Sequence, residues 1–371
     1  MKSLFTIILL IFVSIYSFAQ TVTDKRNNSP KFEIPDIPGY YTMKCDFHMH
    51  TIFSDGKVWP DIRVHEALAE GLDAISITDH VEHHRKGVED NHVIGYEIAK
   101  KAAEGKDLVV VPGGEISASK DHYNALFLTN QDEPVLRDKI PAVRITGANK
   151  QGGFVFWNHP GWTSKYKDGN APQTEEFVSL LKNGQVKGIE ICNGDGYWEG
   201  AHRMALENNL TIIGTSDIHG ISYYPFQPDK HRTITLVFAK EKSLEGIKEA
   251  LLNHRTAIYR GKDIIGSEEF LKPLFLESVK VEADYRRGTS VAYVQLINSS
   301  DFDFYCDYSG DFSFYNAVSL VTIPAHSTTV IGVKTLEQIE SFPLEFTVHN
   351  AITAPDKKLR VEVPVEIKKA D

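Results

Sequence analysis

The sequence predicts an α/β chain in two parts, a distorted seven-stranded (β/α) barrel followed by a small C-terminal β-sandwich. Three observations carry that expectation. Over residues 41–262, short β-branched runs alternate with segments of helical period, as parallel strands and their crossover helices do. One neighbouring pair of runs lies too close for a crossover, so the barrel should be distorted there. From residue 275 to 371 the helical period gives way to plain apolar/polar alternation, the mark of half-buried antiparallel strands.

In chain order, residues 1–19 combine a cation at Lys2, an apolar run from Leu4 to Val13, and small residues at Ser17 and Ala19. That is a secretory signal peptide with cleavage after Ala19, so the mature protein is expected to be exported, periplasmic or secreted. The run is shorter than the roughly 20 residues that span a bilayer, so no stable membrane insertion is expected after cleavage. Residues 20–40, polar with Pro30, Pro35 and Pro38, read as an extended arm. Strands are then expected at Met43–His48, Asp73–Thr78, Leu108–Pro112, Tyr123–Leu128, Gly153–Trp157, Gly188–Cys192 and Thr211–Thr215. Helices are expected at Asp61–Glu70, His92–Glu104, Glu175–Lys182 and Glu199–Asn208. About ten residues separate the third strand from the fourth, which makes those two a hairpin. A strand at Thr233–Phe238 and a helix at Leu244–Asn253 complete the domain.

Composition narrows the partners. Fifty acidic against 40 basic residues give a formal net charge of −10, and no Lys/Arg run is present to grip a phosphate backbone, so a small substrate is favoured over nucleic acid. Only Cys45, Cys192 and Cys306 occur, too few and too scattered for a disulfide framework, and buried thiols are expected.

In a barrel the reactive groups leave the C-terminal ends of the strands. The first strand ends in CDFHMHTIFSDG, where His48 and His50, at i and i+2 of an extended segment, point the same way and Asp55 follows in a turn. The second ends SITDH, giving Asp79, expected as an acceptor or cap, and His80. Glu115 closes VVPGGE, His122 follows in the hairpin, His159 lies in NHPG, and Asp217 and His219 lie in SDIHG. Setting Asp79 aside, six imidazoles and three carboxylates gather at strand ends, too many ligands for one zinc ion. Two or three divalent ions are expected, and Zn, Mn or Fe all suit imidazole and carboxylate.

In this order the motifs HMHTIFSDG, TDH, GGE with a following His, NHP and SDIH resemble the PHP superfamily, named for polymerase and histidinol phosphatase, over about residues 43–220. The resemblance implies a seven-stranded distorted barrel, a trinuclear site and phosphoesterase activity. It also implies that His48, His50, Glu115 and Asp217 hold one metal, that Glu115 bridges to a second held by His122 and His159, and that Asp55, His80 and His219 hold the third. The exported form with an appended β domain looks like a phosphodiesterase branch of that superfamily.

The expected reaction is hydrolysis of a small phosphate ester, diester in preference to monoester, by a metal-bound hydroxide. Arg232, His231 and Asn193 are the candidate substrate contacts, and Tyr197, Trp198, Tyr223 and Tyr224 either line a pocket or pack the rim. Two other readings stay open: attack on an ester, lactone or amide carbonyl in the manner of an amidohydrolase, and a non-catalytic binding protein with a structural metal site. Oligomeric state is not legible.

Overall fold

The computed structural model describes residues 32–85, 91–118, 121–167, 169, 173–227, 230–315 and 317–367. The signal peptide and the arm up to residue 31 lie outside the described residues.

The first eleven strands are β1 Tyr41–Asp46, β2 Ala74–Ile77, β3 Val109–Ala118, β4 Asp121–Leu126, β5 Phe154–Asn158, β6 Gly188–Asn193, β7 Gly196–Tyr197, β8 Thr211–Thr215, β9 Ile234–Ala239, β10 Thr256–Arg260 and β11 Asp263–Gly266. They form one continuous ladder in the order β11-β10-β9-β1-β2-β3-β4-β5-β6, with β7 and β8 both paired to β6. Pairing is parallel for β1/β2, β2/β3, β5/β6 and β6/β8. It is antiparallel for β3/β4 and β4/β5, so the expected hairpin interrupts the parallel run. Strands β2, β5 and β9 are buried along their whole length, as strands covered on both faces must be.

Helices α1 Pro60–Glu70, α2 Ile94–Ala103, α3 Pro141–Lys150, α4 Glu175–Lys182, α5 Glu199–Asn208 and α6 Leu244–Leu252 connect the strands. Local chemistry sets their ends. Pro60 opens α1, where its missing N–H costs nothing, and Gly71 ends it in the left-handed region at φ 75°. Thr174 and Ser243 cap α4 and α6 by accepting the N–H of Phe177 and Gly246. Helix α3 was not expected, because Gly147 and Thr146 weaken the helical signal of PAVRITGANK. Packing requires that glycine: a Cβ there would sit 2.5 Å from Val135.

A hydrogen-bonded closure of the barrel is not found among the described residues. Strand β8 meets β9 and β10 through side chains instead. Thr235 Oγ1 accepts the Gly214 N–H at 3.0 Å and donates to its carbonyl at 2.8 Å, and Thr256 Oγ1 donates to Ile212 O at 2.9 Å. Gly214 permits the approach, since a Cβ there would lie 2.3 Å from Ile258 Cγ2.

Helix α7 Glu268–Ser278 leads to β12 Val279–Tyr285, β13 Val291–Asn298, β14 Phe304–Tyr308, β15 Ser313–Phe314, β16 Leu320–Ile323, β17 Ser327–Lys334, β18 Ser341–Ala354 and β19 Lys357–Glu366. One sheet runs β12-β13-β17-β15, and the facing strands run β16-β14-β18-β19. Strand β18 also pairs in parallel with β11, aligning Ile264 with Ala351 and Ile265 with Ile352, so the second sheet continues the barrel's own. A single apolar core spans both parts. Tyr259 of β10 meets Phe302 edge-on at 4.8 Å, and Phe275 of α7 meets Phe304 at 4.7 Å. The arm joins that core through Ile34 and Ile37, and Glu33 N–H donates to Asp301. No described helix is long and apolar enough to cross a membrane. All three cysteines are buried free thiols.

Candidate metal centre

Backbone pairing beyond the strand ends builds the site. The Asp217 N–H donates to His48 O at 2.9 Å, His50 N–H to Ile218 O at 3.1 Å, and Thr78 N–H to Met49 O at 3.0 Å. The loops after β1, β2 and β8 are thereby knitted into one platform. Arg63 of α1, wholly buried, clamps it from below: its guanidinium donates to the carbonyls of His50, Ile218 and Gly220 and to Glu66. Asp79 accepts from Thr51 N–H, Thr51 Oγ1 and Ser54 Oγ, and so folds the loop that carries His50 and Asp55. Gly56 lets that loop turn back on itself, since a Cβ would fall 2.5 Å from the His50 carbonyl carbon.

All nine strand-end residues meet on this platform. Glu115 is the hub. Its Oε1 faces His48 Nε2 at 3.5 Å, His122 Nδ1 at 3.0 Å and His159 Nε2 at 3.5 Å. Its Oε2 faces His50 Nε2 at 3.4 Å and His80 Nδ1 at 3.0 Å. Asp217 Oδ1 lies 3.2 Å from His48 Nε2 and 3.3 Å from His50 Nε2. At the outer edge Asp55 meets His50 at 3.3 Å, His219 at 3.4 Å and His80 at 3.5 Å.

Donor atoms arranged around a common cation at ~2.1 Å are about 3.0–3.4 Å apart, close to the spacing seen here. The donor set itself calls for a cation. His48 and His50 bring their Nε2 atoms within 3.2 Å, and the buried Asp217 Oδ1 has no hydrogen-bond donor. Metal-type triads fall at His48/His50/Glu115, His80/Glu115/His122, His50/Asp55/His219 and His48/His159/Asp217. These group His80 with Glu115 and His122, and His159 with Asp217, while His80 also lies 3.5 Å from Asp55.

Charge follows the same geometry. Burial opposes a proton on His48, yet Asp217, Glu190 and Glu115 outweigh it and hold the imidazole well above its usual pKa. His50 is pulled down by burial, which its carboxylate neighbours do not overcome. For His80, burial is overridden by the Asp55 hydrogen bond and by Glu115, lifting it to about 9. Asp55 and Glu115 are held below the ordinary carboxylate range, burial notwithstanding, by His219 and His80 in one case and by His48, His122 and His159 in the other.

Two positioning groups, Glu190 and Asp46, were not legible in the sequence. Glu190 of β6, fully buried, accepts from His48 Nδ1 at 2.8 Å, from Thr215 Oγ1 at 2.6 Å and from the His159 N–H at 2.6 Å. A glutamate inside GIEICN was the available signal, since a charge within an otherwise apolar strand needs partners. Asn158 donates to Glu115 Oε1 at 2.8 Å, and Asp46 accepts from the Ser216 N–H and hydroxyl.

The expected substrate contacts need correction. Arg232 is fully buried, forked onto Glu70 by two 2.7 Å bonds and bonded to Asp46 at 3.0 Å, so its charge is met inside the protein and its side chain is sealed away from a substrate. His231 has its ring nitrogens against the Arg232 and Gly261 carbonyls, so one N–H donates within the protein, and the ring stacks on Tyr259. Asn193 donates to Glu190 and to Asp217 Oδ2, and so holds the Asp217 carboxylate rather than facing a substrate. Of the aromatics, Trp198 packs against Gly161, and Tyr224 lines a separate cleft with Phe226 and Tyr259.

Residues 46–216 match the PHP domain family, and residues 279–364 match the Ig-like domain family DUF5001. A solved two-domain protein from Bacteroides vulgatus, described as containing a predicted PHP-like metal-dependent phosphoesterase, superposes with a TM-score of 0.82 at 38% identity, over 90% of this chain and 98% of that one. The uncharacterized protein MJ1295 of Methanocaldococcus jannaschii is 37% identical over 207 residues, 48% of this chain and 82% of its own length.

Proposed function

The chain belongs to the PHP family, and from that premise we propose that it is an exported metal-dependent phosphoesterase acting on small organic phosphate esters, diesters in preference to monoesters. The observation that carries the reading is the Glu115 carboxylate, with three imidazoles about one oxygen and two about the other. Two or three divalent ions of the Zn, Mn or Fe type fit this donor set: His48, His50, His80, His122, His159, His219, Asp55, Glu115 and Asp217 would hold them, with Glu115 shared. When bound, such ions supply Lewis acidity toward a phosphoryl oxygen and a nucleophile from water at neutral pH.

The chain's own groups do the rest. Glu190 fixes His48 by its Nδ1 and leaves Nε2 for the centre, and Asn158 holds Glu115 in register. His48 and His50 are sealed from water, whereas the side chains of Asp55 and His219 are 44% and 38% exposed. Substrate therefore enters over the Asp55–His219 edge.

Protein prepared without added ions should contain two or three divalent metals per chain by elemental analysis. Chromogenic phosphodiesters should be turned over faster than monoesters, and a chelator should stop the reaction until Mn or Zn is returned. His80→Ala and Asp217→Ala should each abolish turnover. Undiminished hydrolysis in chelator, or in either variant, would overturn the reading.

A further inference from the structure

We propose that Lys165, on the loop after β5, binds a non-bridging phosphoryl oxygen of the substrate, with the Trp162 face beside it for the organic group. This rests on the phosphoesterase reading above.

The loop leaves β5 through His159, whose backbone takes the left-handed region at φ 32°, and then winds into two turns, Trp162 N–H to His159 O and Tyr166 N–H to Trp162 O. Tyr166 ties it down by a 2.6 Å bond to Asp121, the residue before the ligand His122. Trp162 stands edge-to-face on the His159 ring at 5.3 Å and is 43% exposed. Lys165 Nζ lies 4.9 Å over the Trp162 ring. Imidazole, indole and ammonium are thus in successive contact beside the centre.

That ammonium is out of water, and no acceptor among the described residues reaches it. A buried cation without an acceptor is costly, and an aromatic face offsets only part of the cost. Burial draws Lys165 below its ordinary pKa, and Glu115 and Asp121 are the carboxylates that pull it back, which puts it within the field of the hub. Three other cations of this domain are spent: Arg63 and Arg232 on carbonyls and carboxylates, Arg144 on Glu82 and Ser117 O. A phosphoryl oxygen supplies what Lys165 lacks, and lysine holds phosphate as a point charge without demanding a fixed fork.

The test uses the metal-loaded full chain and two readouts. Calorimetric titration with inorganic phosphate should show Lys165→Met binding about 10- to 100-fold more weakly than wild type, and Lys165→Arg recovering most of the loss. With a chromogenic diester the loss should fall on KM more than on kcat. Lys167→Met, an exposed neighbour, serves as the control for general field effects and should match wild type. Should Lys165→Met melt early, Lys165→Gln, equally uncharged but polar at its tip, gives the same comparison. Unchanged phosphate affinity in a folded Lys165 variant, an equal loss in Lys167→Met, or a wild type that binds no phosphate would overturn the proposal. A wild type that binds phosphate through Lys165 yet hydrolyses no phosphate ester would overturn the phosphoesterase reading alone.

Discussion

At the scale of single residues, Glu190 and His80 show how the site is held and charged. Glu190→Gln keeps the volume but replaces one acceptor oxygen with a donor, so it cannot serve both His48 Nδ1 and the His159 N–H. Such outer partners typically matter by 10- to 100-fold in metal affinity, and a loss of about that size is expected in a chelator competition, with the fold retained. His80 gives the pH dependence. Its folded pKa is raised from 6.5 to about 9 in the metal-free protein. Its pairing with Asp55 then contributes stability that is fully present below pH 6.5 and is lost as pH rises through about 9. A cation must displace that same proton. Metal affinity should therefore climb across this window, and calorimetry in buffers of different protonation enthalpy should register proton release. Affinity that stays flat from one end of the window to the other would contradict the assignment.

Among elements, the decisive contacts are those where backbone meets backbone without a ladder. Strand β8 delivers Asp217 and His219, yet it fits against β10 only because Gly214 has no side chain, and it meets β9 through Thr235, which satisfies the Gly214 peptide. Gly214→Ala forces Ile258 to move and should destabilise the chain by roughly 1–3 kcal/mol in urea titration. It should also reduce bound metal, since the strand that leads to Asp217 and His219 must shift. Arg63 makes the complementary link from below. Arg63→Met leaves the His50, Ile218 and Gly220 carbonyls without their shared donor, and the expected result is weaker metal binding with α1 still folded by circular dichroism.

For the whole molecule, the β-sandwich is a continuation of the barrel rather than an appendage. Strand β18 extends the sheet from β11, and the Tyr259–Phe302 and Phe275–Phe304 contacts fill one shared core. The two parts should unfold together in one calorimetric transition, and a chain truncated after residue 262 should lose solubility by exposing that face. Two separate transitions would argue against the shared core. The proposed export makes its own prediction: mass spectrometry of purified protein should find an N-terminus at Gln20, and a chain beginning at Met1 or Lys2 would refute it.

What the sequence determined by itself was local. The period of two in YTMKCD and AISI, the pair His48 and His50 at i and i+2, and the short gap between β3 and β4 are properties of neighbouring residues, so strands, hairpin and the imidazole and carboxylate positions at strand ends could be read from order alone. Pairing across the chain was not of that kind. That Glu190 would grip His48 from 142 positions away, that Arg232 would be consumed by Glu70 and Asp46, and that β18 would join β11 depend on which buried charges and strand edges meet after folding. Burial charges a heavy penalty for an unpaired carboxylate or guanidinium, so tertiary packing, not residue type, decided which polar groups support the centre and which are left to face a substrate.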